Sequence, residues 1–308
     1  MKLVRFTVNG QPARLGNLVS DQVWDLGATY EQFLAGRGVT RAAELAGALF
    51  HGSTRDFLQA GAVAEAALAQ MDEAVKAGKL TRVSHRLGSV RLLAPIRDPE
   101  KLICIGLNYK DHAEEAKLPI PKEPPLFAKW ATAILDPGEP ILRPRGCTQL
   151  DYEVELGVVI GKSCRYVPPE HALDYVFGYT IIHDVSARDF QFVTSQWMAG
   201  KIADTFAPIG PYIADRSEIP DPHVLDLSTY VNGNRLQHGN TKNMIFDVRA
   251  LVSYLSKIIT LSPGDVIATG TPAGVGFVRR PQVLLQPGDT VRMEIAGLGV
   301  LENPIKEA

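Results

Sequence analysis

A chain of 308 residues, 45% hydrophobic and 21% charged, has ordinary globular composition. That length allows one large domain or two unequal ones, with a core that stands without staples. Its 32 Lys and Arg against 34 Asp and Glu leave a net charge of −2, so no basic field recruits nucleic acid or an acidic membrane surface. The three cysteines, Cys104, Cys147 and Cys164, share no close spacing; they fit neither a disulfide scaffold nor a zinc site and suit a reducing cytoplasm. The start, MKLVRFTVNGQ, has no apolar signal core, and the chain holds no apolar run of the roughly 20 residues a membrane helix needs.

The first 30 residues alternate like strands, Leu3, Arg5 and Thr7 against Val4, Phe6 and Val8, and then meet the hairpin signal Asn9-Gly10. Two helical stretches follow, roughly Tyr30–Phe50 and Ala60–Ala77, the second with Val63, Ala66, Ala67, Gln70, Met71 and Ala74 on one face. Near residue 91 the texture changes to RLLAPIRDPEKLICIG. The expected division is a small N-terminal α/β domain over 1–92 and a larger unit over 93–308. Beyond it, short β-branched runs alternate with Asp136-Pro137-Gly138, Asn232-Gly233, Pro263-Gly264-Asp265 and Pro287-Gly288-Asp289. Such dense turn chemistry predicts a β-rich, α+β domain. One clear helix interrupts it, with Ile245, Val248, Leu251, Val252, Leu255, Ile258 and Ile259 at helical spacing.

The stretch Asp151-Tyr-Glu-Val-Glu-Leu-Gly carries the first chemistry. In a strand, residues i and i+2 share a face, so Glu153 and Glu155 point the same way. Two adjacent carboxylates repel unless a cation sits between them. A second strand, Phe177–His183, ends at Asp184, a third oxygen donor. Oxygen-only ligands favour Mg²⁺, with Mn²⁺ or Ca²⁺ as substitutes. A solvent-facing strand with its acids outward has the same pattern.

Asn108-Tyr-Lys-Asp-His112-Ala-Glu-Glu115 puts His112 and Glu115 three residues apart on a helical turn. A carboxylate beside an imidazole raises its basicity, as a general base for water requires; an exposed turn with a chance pair reads the same. Pro119, Pro121, Pro124 and Pro125 follow, the composition of a loop able to act as a lid. Lys201 lies among Trp197, Ile202 and Phe206, and a half-buried lysine seeks an acid or an anion. Thr269-Gly-Thr-Pro-Ala-Gly-Val-Gly276 has neither the ending of a phosphate loop nor the spacing of a dinucleotide fingerprint. Its amides and hydroxyls can hold a carboxylate.

Taken together, the segments ICIGLNYKDHAEE, PLFAKW, DYEVELGVVIGK, GYTIIHDVSARDFQ, QWMAGKIADTFAPIGP, VNGNRLQHGNT, LSPGDVIATGTPAGVG and LGVLEN resemble the fumarylacetoacetate hydrolase superfamily from about Leu102 to the C-terminus. The similarity is greatest to its bacterial and mitochondrial branch with a small N-terminal domain. The resemblance implies a mixed β-sandwich roll with a barrel-like core, a homodimer, and Mg²⁺ held by Glu153, Glu155 and Asp184. It makes His112 and Glu115 the lid dyad that activates water, and Lys201 the lysine beside the metal. Arg188, Gln191 and Thr271 become substrate contacts, although Arg188 can equally brace the strand carboxylates. His183, one step from Asp184, is expected on the opposite face as a core residue. His238, Cys104 and the aromatic runs around Trp130 and Trp197 are read as packing.

The implied substrate is a small 2-oxo or 2,4-dioxo acid, whose enolate is shared by several reactions. Water attack on a distal carbonyl gives acylpyruvate-type C–C hydrolysis. Protonation at C3 or loss of CO₂ gives oxaloacetate tautomerisation or decarboxylation, and 2-hydroxy-dienedioate isomerisation is related chemistry. A carboxylate-binding protein without turnover is the non-enzymatic reading. Specificity is expected in the lid and the loop near Phe192–Ala199.

Overall fold

The computed structural model describes residues 1–50 and 52–308. β-Branched and aromatic runs between turn residues dominate the chain, and three sheets result. The largest has twelve strands. One half runs from Ser84–Arg86 through Gln22–Asp25 and Arg14–Val19 to Lys2–Thr7. The other continues through Ala207–Asp215, Val176–His183, Val154–Ile160, Val266–Ala268 and Leu102–Ile105 to Leu126–Lys129. A five-stranded sheet, Asn234–Asn240, Asp226–Val231, Thr290–Ile295, Gly299–Glu307 and Ile141–Arg143, packs against it. The product is the expected α+β, sheet-dominated roll, with sheets that stay open at their edges rather than closing into a barrel.

The N-terminal hairpin turns at Asn9 and Gly10, both in the left-handed region (φ 48° and 72°), as a tight hairpin between right-twisted strands requires. The stretch expected as one helix over 30–50 is two, Leu26–Ala35 and Ala42–Phe50. Gly36 and Gly38 (φ +77°) break it. A further helix, Thr54–Ala60, capped by the Ser53 side chain, was not legible in the periodicity. On the next helix, Ala62–Lys76, the inward residues are Ala64, Ala67 and Met71, while Val63 is 64% exposed. An alanine-rich helix offers little contrast between faces, so packing rather than pattern set its rotation. The helix expected around 245–259 is Val248–Ile258, capped by Asp247. Ile245 lies before it, its amide bonded to the Asn108 carbonyl at 2.8 Å.

Hydrogen bonds tie the N-terminal layer to the rest: Lys2–Thr7 pairs antiparallel with Ala207–Asp215 and with Arg91–Leu93. The site depends on the centre of the sheet. There Val154 pairs with His183, and the Asp184 amide donates to the Glu153 carbonyl at 3.0 Å. This register sets the end of one strand against the end of its neighbour. A two-stranded ladder, Leu150–Asp151 with Ser186–Ala187, extends the same junction.

Gly178 shows how tightly these strands are set. A Cβ there would lie 2.2 Å from the Ala214 carbonyl oxygen and 2.8 Å from the Asp215 Cα, both backbone atoms. Gly178→Ala is expected to destabilise the protein by about 1–3 kcal/mol, read as a lower Tm in thermal denaturation. An unchanged Tm would mean the strands can separate without loss.

Candidate metal centre and active site

Glu153 and Glu155 stand at the start of the Val154–Ile160 strand and Asp184 just past the end of Val176–His183. One oxygen from each lies within 4.8 Å of the others, and all three residues are buried. Burying such a trio is unfavourable unless each charge finds a partner. Burial alone would raise the Glu153 carboxyl, but Lys201 and Arg188 beside it hold it far below the usual carboxylate range. Arg188 Nη2 reaches Glu153 Oε1 at 2.6 Å, and Lys201 Nζ reaches Oε2 at 2.9 Å. Lys201 also donates to Asp184 Oδ2 at 2.8 Å. Burial works against the Lys201 charge, yet Asp184 and Glu153 raise its pKa above the ordinary lysine value.

Glu155 is different. Burial, reinforced by the like charges of Asp184 and Glu153, pushes its carboxyl well above the usual range. Among the described residues its one hydrogen bond comes from the Gly270 amide at 2.8 Å. Asp184 Oδ1 is buried without a hydrogen bond. Lys129 Nζ lies 2.7 Å from it, but that ammonium donates to the carbonyls of Val185, Lys201 and Phe206 at 3.0, 2.6 and 2.8 Å. Three protons serve three carbonyls, so the contact with Asp184 is one of charge only. The junction therefore holds four buried carboxylates, with Asp151, against the three bases Lys129, Arg188 and Lys201. An orphaned carboxylate oxygen, an uncompensated Glu155 and an all-oxygen donor set fit a hard divalent cation.

Glu153 and Glu155 face a cavity of about 210 Å³ that is also lined by His112, Arg188, Gln191, Lys201 and Thr271. This is smaller than the roughly 300–1,000 Å³ of sites for drug-sized ligands, so the space suits only a small molecule. His112 and Glu115 lie on the short helix Lys110–Glu115, with Nδ1 and Oε2 3.6 Å apart. Burial would raise the Glu115 carboxyl, but the neighbouring His112 ring and the hydrogen bond accepted from the Gly274 amide lower it. Arg188 both lines the cavity and braces the carboxylates. Its Nε donates to Asp151 Oδ2 at 2.9 Å and its Nη1 to Gln191 Oε1 at 2.9 Å. Thr271 Oγ1 accepts from Gln237 at 2.8 Å, which leaves its hydroxyl proton for the cavity. The nine residues picked from the sequence thus surround one space, with Asp184 behind Lys201 and Glu115 behind His112.

The glycine-rich segment holds carboxylates, but they are the protein's own. Gly270 donates to Glu155, Gly274 to Glu115 at 2.9 Å, and Gly276 and Phe277 to Asp151 at 2.7 and 3.0 Å. Gly270 and Gly274 sit at φ +94° and +105°, conformations that side chains resist.

Asp151, Lys129, Gln237 and Asn108 belong to this machinery and were missed as functional positions. Asp151 had a signal, since it shares the face of Glu153 and Glu155 at i−2. Gln237 had none: its oxygen accepts from Val154 N and Thr229 Oγ1, and its nitrogen donates to Thr271 Oγ1 and the Pro272 carbonyl. Asn108 anchors the chain just before the Lys110–Glu115 helix by donating to the carbonyls of Phe246 and Thr269. His183 is a buried core residue, pushed down to about 3 by burial and by Lys129. Three packing assignments need correction. Trp130, past the end of an edge strand, is 49% exposed. Trp197 forms a wall of the cavity. His238 faces outward, 3.2 Å from Ser228, while its neighbour Gln237 takes the inner face.

The profile described as fumarylacetoacetate (FAA) hydrolase, C-terminal, matches residues 101–306. The chain belongs to the fumarylacetoacetate hydrolase family. This family member is 46% identical over 255 residues to the Xenopus laevis protein named oxaloacetate tautomerase fahd2, mitochondrial, covering 82% of this chain and 77% of that one. It is 50% identical over 227 residues to the fumarylacetoacetate hydrolase domain-containing protein 2 homolog of Dictyostelium discoideum, covering 70% and 74%. Among solved structures, the fumarylacetoacetate hydrolase of Exiguobacterium antarcticum matches over the whole of both chains, with TM-score 0.78 and 34% identity. The maleylpyruvate hydrolase of a Sphingobium species, solved with manganese(II) and pyruvate, does so with TM-score 0.76 and 28% identity.

Glu155→Gln removes the one triad acid that no base compensates. The metal-free variant is expected to melt at or above the temperature of the metal-free parent. Millimolar Mg²⁺ should raise the parent's Tm, by the equivalent of about 2.7 kcal/mol at a hundredfold excess over Kd, and leave the variant unmoved. Equal shifts would remove Glu155 from the ligand set.

Proposed function

We propose that this family member is a divalent-metal-dependent enzyme acting on small 2-oxo and 2,4-dioxo acids, cleaving the C–C bond of acylpyruvates with water. The observation that carries the reading is the pairing of His112 and Glu115 across one small cavity from the acidic triad. Glu153, Glu155 and Asp184 would hold the cation, with Mg²⁺ as the first choice. When bound, it supplies Lewis acidity toward the negative charge that develops on the substrate oxygens.

The protein's own residues do the rest. Glu115, fixed by the Gly274 amide, orients His112, and His112 takes a proton from water. The hydroxide adds to the distal carbonyl carbon, and the bond from that carbon to C3 breaks with its electron pair passing to C3. The proton on His112 then goes to C3, releasing a carboxylic acid and pyruvate. Lys201, kept charged by Asp184 and Glu153, contributes a fixed positive charge in a dry site, where it acts strongly. Thr271 and Gln191 present hydrogen-bond donors that orient the acid. A non-catalytic carboxylate binder has no use for the His112–Glu115 pair.

Tautomerisation of oxaloacetate is the second reading, favoured by the names of relatives in Xenopus laevis and Bos taurus at 45–46% identity. It needs proton transfer at C3 but no water attack. We place the enzyme in the cytoplasm, where its three free, buried thiols stay reduced, and expect a homodimer; no helix among the described residues is long and apolar enough to cross a membrane.

Ultraviolet loss of the enol of acetylpyruvate and of oxaloacetate, with Mg²⁺ or with EDTA, tests the reading. EDTA and Glu153→Ala are each expected to abolish both signals. His112→Ala should lower hydrolysis by about 10²–10⁴-fold and tautomerisation much less. Equal loss of the two would count against water activation by His112, and activity indifferent to EDTA would overturn the metal.

A further inference from the structure

The cavity is lined by two unlike sets of side chains. One is the acids and bases described above. The other is an apolar wall of Leu118, Phe127, Phe192, Trp197, Val275 and Phe277, and the two meet where Lys201 Nζ lies 5.1 Å from the Phe127 ring centroid. Its aromatic members form two pairs, Phe127 edge-on to Trp197 with centroids 6.1 Å apart, and Phe192 against Phe277 at 5.4 Å. The wall is rigidly seated at Trp197: a Cβ on Gly106 would lie 2.2 Å from the indole Cζ3, so the ring rests directly on backbone.

A second carboxylate on the substrate would find no base of its own. Arg188 is engaged by Asp151, Glu153 and Gln191, and Lys201 by Glu153 and Asp184, which leaves a single lysine proton for the 2-oxo acid end. The loop amides above the cavity, which would otherwise make an anion nest, already serve Glu155, Glu115 and Asp151. His112 has Glu115 beside it. Burying an ionised carboxylate among aromatic rings without a partner is strongly unfavourable, whereas an alkyl group there gains from leaving water.

We propose that this wall favours an uncharged, apolar acyl group, so that the preferred substrate is a monocarboxylic 2,4-dioxo acid with an alkyl tail and a diacid of the same shape is used less well. This rests on reading the site as a 2-oxo acid enzyme, and it goes further by fixing the chemistry of the distal end. It also sets the preferred substrate apart from oxaloacetate, the diacid in the names of several relatives.

The test uses a shape-matched pair, isocaproylpyruvate and succinylpyruvate, in which a terminal isopropyl group replaces a carboxylate. With the Mg²⁺-loaded full chain, kcat/KM for isocaproylpyruvate should exceed that for succinylpyruvate by at least about 10-fold. Calorimetric binding, with metal and with EDTA, should show the same order. Phe192→Arg places a cation in the wall at a 55% exposed position that the fold tolerates, and it should narrow or invert the ratio. Gly106→Ala, by displacing Trp197, should raise KM for the alkyl substrate more than it lowers kcat. Equal or better use of succinylpyruvate by the parent, or a ratio unmoved by Phe192→Arg, overturns the wall. If neither acid is turned over, the enzymatic reading fails, and the binding order alone decides the wall.

Discussion

Four carboxylates buried beside three bases, with one acid left over, are the constraint around which this molecule is arranged. Charge of that kind unfolds a protein unless it is shared out with care. Here Arg188 is divided between Asp151 and Glu153, Lys201 between Glu153 and Asp184, and Lys129 lies against Asp184 while its protons go to three carbonyls. What remains is a local field with a defined shortage of positive charge, concentrated at Glu155. A metal centre requires that shortage, and a structural salt-bridge cluster would have removed it.

The geometry that holds the cluster comes from the backbone as much as from side chains. Central strands offset by their register bring Glu153 against Asp184, and a short ladder adds Asp151 beside Arg188. Gln237 uses both of its acceptor positions and both of its donors to join the acidic strand to Thr271. A fully satisfied buried amide of this kind rigidifies what it connects. The Lys110–Glu115 helix, the acidic strand and the glycine loop are thus joined by hydrogen bonds.

Much of the acidic side of the site was legible because strand alternation converts spacing directly into a shared face, as with Glu153 and Glu155. Helical spacing did the same for His112 and Glu115. The residues that escaped are those whose partners lie far away in sequence and whose type carries no chemical signature. Gln237 looks like any strand residue, and Lys129 looks like a solvent-facing lysine on an edge strand until its carbonyl partners are seen. Trp197 is apolar and therefore reads as core; that it faces a cavity is a fact of three-dimensional closure. The helices of the N-terminal layer were misjudged for a simpler reason, since alanine-rich segments give periodicity little to work with.

The amide grip of the glycine loop also bears on how the molecule comes together. Glu155 meets Gly270 across 115 residues, Asp151 meets Gly276 across 125, and Glu115 meets Gly274 across 159. Contacts at such separations carry the entropic cost of closing a long loop, which slows folding overall. No fragment that ends before the loop contains a complete site, and a collapsed intermediate with most of its strands in place would still lack one. Any affinity for a divalent cation is in this sense a property of the finished fold and not of its parts.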